Sequence, residues 1–165
     1  MFATKTEIPP YYLDYLNSGL AAGDMSYMFD GGTNLRFVPK LNIDTSQCTS
    51  MRNMFAYCNI LESVDLSNFN TSNVTDMSYM FYCCNLALRS LDLSNFNTSK
   101  VTDMRSMFAE CDSLKHIEAV IDMKSCTNYS NMFNYCTELS GVKIKNPPAG
   151  FDGAGLASNQ YTIVS

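Results

Sequence analysis

The chain has no tryptophan, a single histidine, and only 11 Lys and Arg against 16 Asp and Glu in 165 residues, for a net charge of −5. So few positive charges argue against nucleic acid as the main partner, because neutralising a phosphate backbone takes clustered cations. No run approaches the roughly 18 apolar residues of a membrane span. The short Cys-x-x-Cys steps of a zinc site are missing. Gly31-Gly32 and Gly150, Gly153 and Gly155 fall in a turn and a tail, so no glycine-rich phosphate loop is expected. Met1 to Pro10 has no basic-then-apolar run of a secretory signal. Either a leader was removed, or the protein stays inside, or it leaves by another route. A Cys–His or Ser–His dyad would have to use His116, and its nearest cysteine in sequence, Cys111, sits in a repeated core-type position. The expectation is a protein that is not an enzyme and needs no cofactor or metal.

What the chain does have is repetition. The pentad Met-x-x-Met-Phe occurs at Met25–Phe29, Met51–Phe55, Met77–Phe81 and Met104–Phe108, and a fifth copy begins with Tyr129. Its Phe residues, Phe29, Phe55, Phe81, Phe108 and Phe133, are 26, 26, 27 and 25 residues apart. A fixed period of that size implies a solenoid, in which each unit buries its apolar face only against its neighbours. An apolar content of 46% is ordinary for one globular domain.

Each unit divides into two halves. The first carries Leu-x-x-Leu-x-Leu spacing, best seen at Leu61, Val64 and Leu66 and at Leu88, Leu91 and Leu93, and more worn at Leu114, Ile117 and Ala119 and at Leu139, Val142 and Ile144. This reads as a short strand; stacked copies form a parallel sheet. Asn-Phe-Asn-Thr-Ser follows at Asn68–Ser72 and Asn95–Ser99, a turn and helix-cap signature. Then Val74, Met77, Met80, Phe81 and Cys84 fall at i, i+3, i+6, i+7 and i+10, which reads as an apolar stripe on a short helix covering the sheet. Phe69 and Phe96, with Ile43 and Ile121, fill the wedge between strand and helix. A methionine stripe can also mark an adaptable binding groove, but its alternation with Phe favours packing.

Six of the seven cysteines hold repeat positions. Cys58, Cys84, Cys111 and Cys136 lie three residues after a pentad Phe; Cys48 and Cys126 stand where other copies have Val74 and Val101. They read as small buried hydrophobes in the reduced state, with Cys83 outside the pattern. One rung's spacing still leaves a stray disulfide geometrically open.

The domain expected is a single unit, 1–165: an N-terminal cap over 1–24, five repeats over 25–145 and a C-terminal cap over 146–165 ending in a strand at Tyr161–Val164. The fold class is α/β, a right-handed leucine-rich-repeat solenoid with a parallel sheet on the concave face and short helices on the convex face.

Between the strand leucines, polar residues form two rows on the concave side. One is Phe37, Ser63, Ser90, His116 and Gly141; the other is Pro39, Asp65, Asp92, Glu118 and Lys143. Ser63, Asp65, Ser90, Asp92, His116 and Glu118 are the candidate ligand-binding residues. The carboxylates form either an acidic stripe for a cation or basic partner, or a solvated face relieved by Lys143, Arg89 or Lys115. Tyr27, Tyr57, Tyr79, Tyr82 and Tyr135 lie beside the apolar stripe, as contact residues for protein or glycan or as packing between neighbouring helices. The Asn-x-Ser/Thr triplets at Asn70, Asn73, Asn97 and Asn128 follow from turn composition and carry no glycosylation reading.

The strand spacing followed by Met80-Phe81-Tyr82-Cys83-Cys84, with Leu66–Ser72 ahead of it, resembles the BspA-like bacterial leucine-rich repeat family, whose units end in aromatic-x-x-Cys. The resemblance runs from about Gly23 to Ile144. It implies a bacterial surface or secreted protein that binds host proteins, cells or other bacteria. Similar short units in phage and prophage proteins imply a second setting: a structural component that self-associates or docks to a tail protein. The expected partner is a protein or cell-surface ligand, with a homo-oligomer as the other outcome.

Overall fold

The computed structural model describes Asp14 and residues 22–165. The N-terminal cap expected over 1–24, including Ile8 to Leu16, lies outside the described residues apart from Asp14 and 22–24. Seven short strands follow: β1 (Phe37–Val38), β2 (Ser63–Val64), β3 (Ser90–Asp92), β4 (His116–Glu118), β5 (Val120–Asp122), β6 (Val142–Lys145) and β7 (Tyr161–Val164). The strands pair in parallel: β1 with β2, β3 with β4, β5 with β6, and β6 with β7. Parallel neighbours about one repeat apart define a solenoid of about six turns. The expected closing strand at Tyr161–Val164 is β7, the sixth.

The expected helices do not form: among the described residues, helix is confined to Asp14. Each pentad with the three residues after it is instead a run of tight turns. Met28, Asp30 and Gly32 N–H groups bond the carbonyls three residues back, at Met25, Tyr27 and Phe29. The N–H groups between them leave the rung: Met25, Tyr27, Phe29 and Gly31 donate to Ser50, Arg52, Met54 and Ala56 carbonyls of the next rung at 2.8–2.9 Å. The same alternation recurs at Met51–Tyr57, Met77–Cys83 and Met104–Glu110. A helix would spend all these N–H groups on its own i−4 carbonyls.

The chain bends this way because the third and seventh residues of each eight-residue run take left-handed backbone. They are Tyr27 and Gly31, Asn53 and Tyr57, Tyr79 and Cys83, Ser106 and Glu110, and Asn131 and Tyr135, with φ between 51° and 70°. Two left-handed residues four apart bring positions one, four, five and eight to the same side. That is the spacing an amphipathic helix would show, and it is the physical reason the sequence reads as helical.

The inward residues form continuous rows. Phe29, Phe55, Phe81, Phe108 and Phe133 are fully buried. They stack with centroids 5.2, 5.3, 5.9 and 5.5 Å apart and rings within 10° of parallel. Met51, Met54, Met77, Met80 and Met104 are equally buried, so the methionine stripe is core. Phe69, Phe96, Ile43 and Ile121 are buried in the wedge as expected.

All seven cysteines are free thiols. Cys58, Cys84, Cys111 and Cys136 each donate to the carbonyl of a pentad Phe one rung back, at 2.9–3.2 Å. Burial pushes the Cys58 and Cys136 thiols up to about 12, and Cys84 and Cys111 well above the ordinary thiol range. Buried polar groups demand partners, and Thr45, Thr71 and Thr98 show how the turns meet that demand. Each hydroxyl donates to a next-rung carbonyl (Asn70, Asn97, Asp122) and accepts that residue's N–H at 2.7–2.8 Å.

Irregular spacings mark where the sheet breaks. One extra residue between Cys84 and Leu88 puts Leu86 outside, 62% exposed, between β2 and β3. At Ala119 the chain bends and separates β4 from β5. The resulting slip pairs Val120 with Lys143 and Ile121 with Ile144. The expected alignment of Ala119 with Ile144, and of Glu118 with Lys143, is therefore corrected by two residues.

Candidate functional site

The strand face carries all six candidate residues. Ser90 pairs with His116 and Asp92 with Glu118 in one register, and Phe37 pairs with Ser63. Ser63, Asp65, Ser90, Asp92, His116 and Glu118 are all solvent-exposed, while Leu91 and Ile117 between them are buried. Strand alternation produces that split. The two rows thus stand side by side on successive rungs.

Asp65 and Asp92 also have local work. Each accepts, at 3.0 Å, the N–H of the residue two on, Ser67 or Ser94. The serine hydroxyl and that N–H hold both carboxyls below the usual carboxylate range. Asp24, Asp44, Asp76, Asp103 and Asp122, and Asn70, Asn97 and Asn128, cap turns by the same i to i+2 bond. The acidic residues therefore recur for a structural reason that amides satisfy equally. Among the described residues, no group of three or more His, Cys, Asp or Glu is placed to hold a metal ion. The depression beside Asp65 and Asp92 is of about 420 Å³ and is lined by Val64, Leu66, Ser67, Ser94 and Asn95.

Glu118 is the electrostatic centre of the face. His116 Nε2 lies 3.1 Å from its carboxylate and Lys143 Nζ 3.8 Å away. Lys143 reaches Glu118 across the register slip. Lys115 pairs instead with Glu138 at 3.1 Å, and Arg36 with Glu62 at the first rungs. These exposed pairs add little stability; they leave a mixed-charge surface.

The opposite face holds the tyrosines. Tyr82 meets Tyr57 and Tyr79 edge-on at 5.2 and 5.5 Å, and its hydroxyl donates to Glu110 at 2.9 Å, which raises its pKa. Arg52 and Arg105 stack on Tyr79 at 5.6 and 5.7 Å, and Arg52 also donates to the Tyr27 hydroxyl. Packing between rungs accounts for Tyr79 and Tyr82, whereas Tyr27, Tyr57 and Tyr135 are 52%, 45% and 62% exposed. No helix among the described residues is long and apolar enough to cross a membrane.

The sequence reading missed a third feature, at the fifth rung. Thr127, Asn128, Tyr129, Ser130 and Asn131 border an open notch of about 450 Å³ together with Asp152, Ala154 and Gly155. The signal was available: no pentad follows Phe133.

Stacked parallel strands, a continuous aromatic column and turn-capping Asp and Asn define a parallel-strand solenoid with side chains displayed at fixed spacing. Within that class, the chain belongs to the family described as Mycoplasma protein of unknown function, DUF285, whose model matches residues 23–146. No curated protein and no solved structure matches the chain.

Proposed function

We propose that this protein is a non-catalytic binding module that recognises a macromolecule, a protein or a cell-surface ligand, through the concave face of a leucine-rich-repeat-type solenoid akin to the BspA-like repeats. The supporting observation is the exposure of Ser63, Asp65, Ser90, Asp92, His116 and Glu118 on successive rungs above a sealed core. A scaffold whose side chains are already ordered loses little entropy on binding. The family's mycoplasma description fits a bacterial setting. His116 engages Glu118, and the Cys111 thiol is buried and bonded to the Phe81 carbonyl, which favours the non-catalytic reading.

The test is a screen of the chain against arrays of extracellular proteins and glycans, beside an Asp92→Arg, His116→Glu variant that changes the charge at two positions of the face. Ligands bound by the parent and lost by the variant support the reading. Ligands kept by the variant, or no ligand together with a discrete oligomer in light scattering at several concentrations, replace it with an assembly role.

A further inference from the structure

We propose that the notch at the fifth rung is a docking slot for an extended, basic peptide segment of a partner protein, which adds to the solenoid by backbone pairing. This reading is independent of the concave face.

The inner rungs show what such a slot accepts. At the fourth rung, the Thr102 carbonyl accepts the Thr127 N–H, Met104 N–H donates to the Asn128 carbonyl, and Ser106 N–H donates to the Ser130 carbonyl. The second and third rungs repeat this pattern with Thr49, Met51 and Asn53 and with Thr75, Met77 and Tyr79. At the fifth rung the equivalent groups are the Thr127 carbonyl and the Tyr129 and Asn131 N–H groups. None of the three has a hydrogen-bond partner among the described residues. To the Tyr129–Phe133 pentad the sixth turn contributes the Ala154 carbonyl, taken by Phe133 N–H at 2.9 Å. One acceptor followed by two donors is the edge pattern that backbone addition completes.

Charge selects among peptides. Asp152 borders the notch and is exposed, and it forms no ion pair among the described residues. No Lys or Arg lines the space. A segment carrying Lys or Arg complements that carboxylate, whereas an acidic one is repelled. In the inner rungs, the parallel segment that fills this place carries arginine twice, at Arg52 and Arg105.

The probe is a synthetic peptide copying residues 101–107 with Asp103→Asn, so that its one charged side chain is the arginine at position 105. Added to the isotope-labelled full chain, it should shift the Tyr129 and Asn131 amide signals and slow their exchange by about tenfold. Ser130→Trp, an exposed position that fills the notch, should weaken this response by at least about tenfold without changing the melting temperature. Should that variant fold poorly, the same peptide carrying Arg105→Glu is tested on the parent chain and should bind more weakly. The proposal is overturned if the Tyr129 and Asn131 amides do not respond, or if Ser130→Trp or the Glu peptide leaves the response intact. It is also overturned if these amides are already as protected as those of Met104 and Ser106 in the free protein.

Discussion

The two sides of each rung are built to different standards. On the strand side, pairing comes in segments of two to four residues and is divided into three small sheets. On the turn side, the bridges Asp24–Ser50–Asp76–Asp103–Asn128 run unbroken through five rungs, in register with the stacked Phe column. The turn side therefore tolerates no slip. The strand side absorbs the extra residue at Leu86 and the bend at Ala119. Stability belongs to the side without freedom, and sequence variation to the side that displays exposed polar groups.

The largest expected effect comes from breaking the turn side. Met80→Asp places a charge in a fully buried position, and the cooperative melting transition followed by circular dichroism should disappear. A retained sharp transition would mean that the turn side is not the spine. Next is Thr71→Val, which keeps the shape but leaves the Asn97 N–H and carbonyl without the partner they have at 2.8 and 3.1 Å. Urea denaturation should show a loss of about 1–3 kcal/mol.

The thiol row gives a pH test. Cys58 and Cys136 titrate near 12 when folded and near the ordinary 9 when unfolded, so the unfolded state alone releases their protons between these values. Their contribution is full below pH 9 and is lost as pH rises toward 12, with a slope of about 1.4 kcal/mol per pH unit and thiol. In Cys58→Ala, Cys136→Ala the decline measured by denaturation across that range should be shallower. The smallest effect belongs to the strand side: Asp65→Asn with Asp92→Asn should leave the melting temperature unchanged, since Asn70 and Asn97 cap equivalent turns. A large loss restored by added calcium would instead expose a metal requirement.

Much of this was legible in the sequence. The Phe spacing marked five rungs, the last turn being legible only as the Tyr161–Val164 strand, and the Cys58, Cys84, Cys111 and Cys136 register marked them as interior. Val64 and Ala119 aside, the apolar Leu-x-x-Leu-x-Leu positions are buried as their alternation implies. The helix was misread because turns with left-handed residues at positions three and seven reproduce helical spacing. Gly31, Asn53 and Asn131 at those positions favour left-handed backbone, but Tyr57, Tyr79 and Glu110 conceal the pattern. For the candidate site, the exposure of the two polar rows followed from strand alternation. The Lys143 slip did not, since it depends on how the chain bends at Ala119. The fifth-rung notch escaped notice because a missing bond leaves no residue motif.

The one-way hydrogen bonding of the eight-residue run has an electrical consequence. Because four amides per rung on the eight-residue run all point toward the next rung, their dipoles add along the stacking axis instead of cancelling as in an ordinary sheet. The array is thus polarised, with its partial positive pole at Tyr129 and Asn131. Asp152 sits beside that pole, and each rung inserted upstream would extend the polarised column.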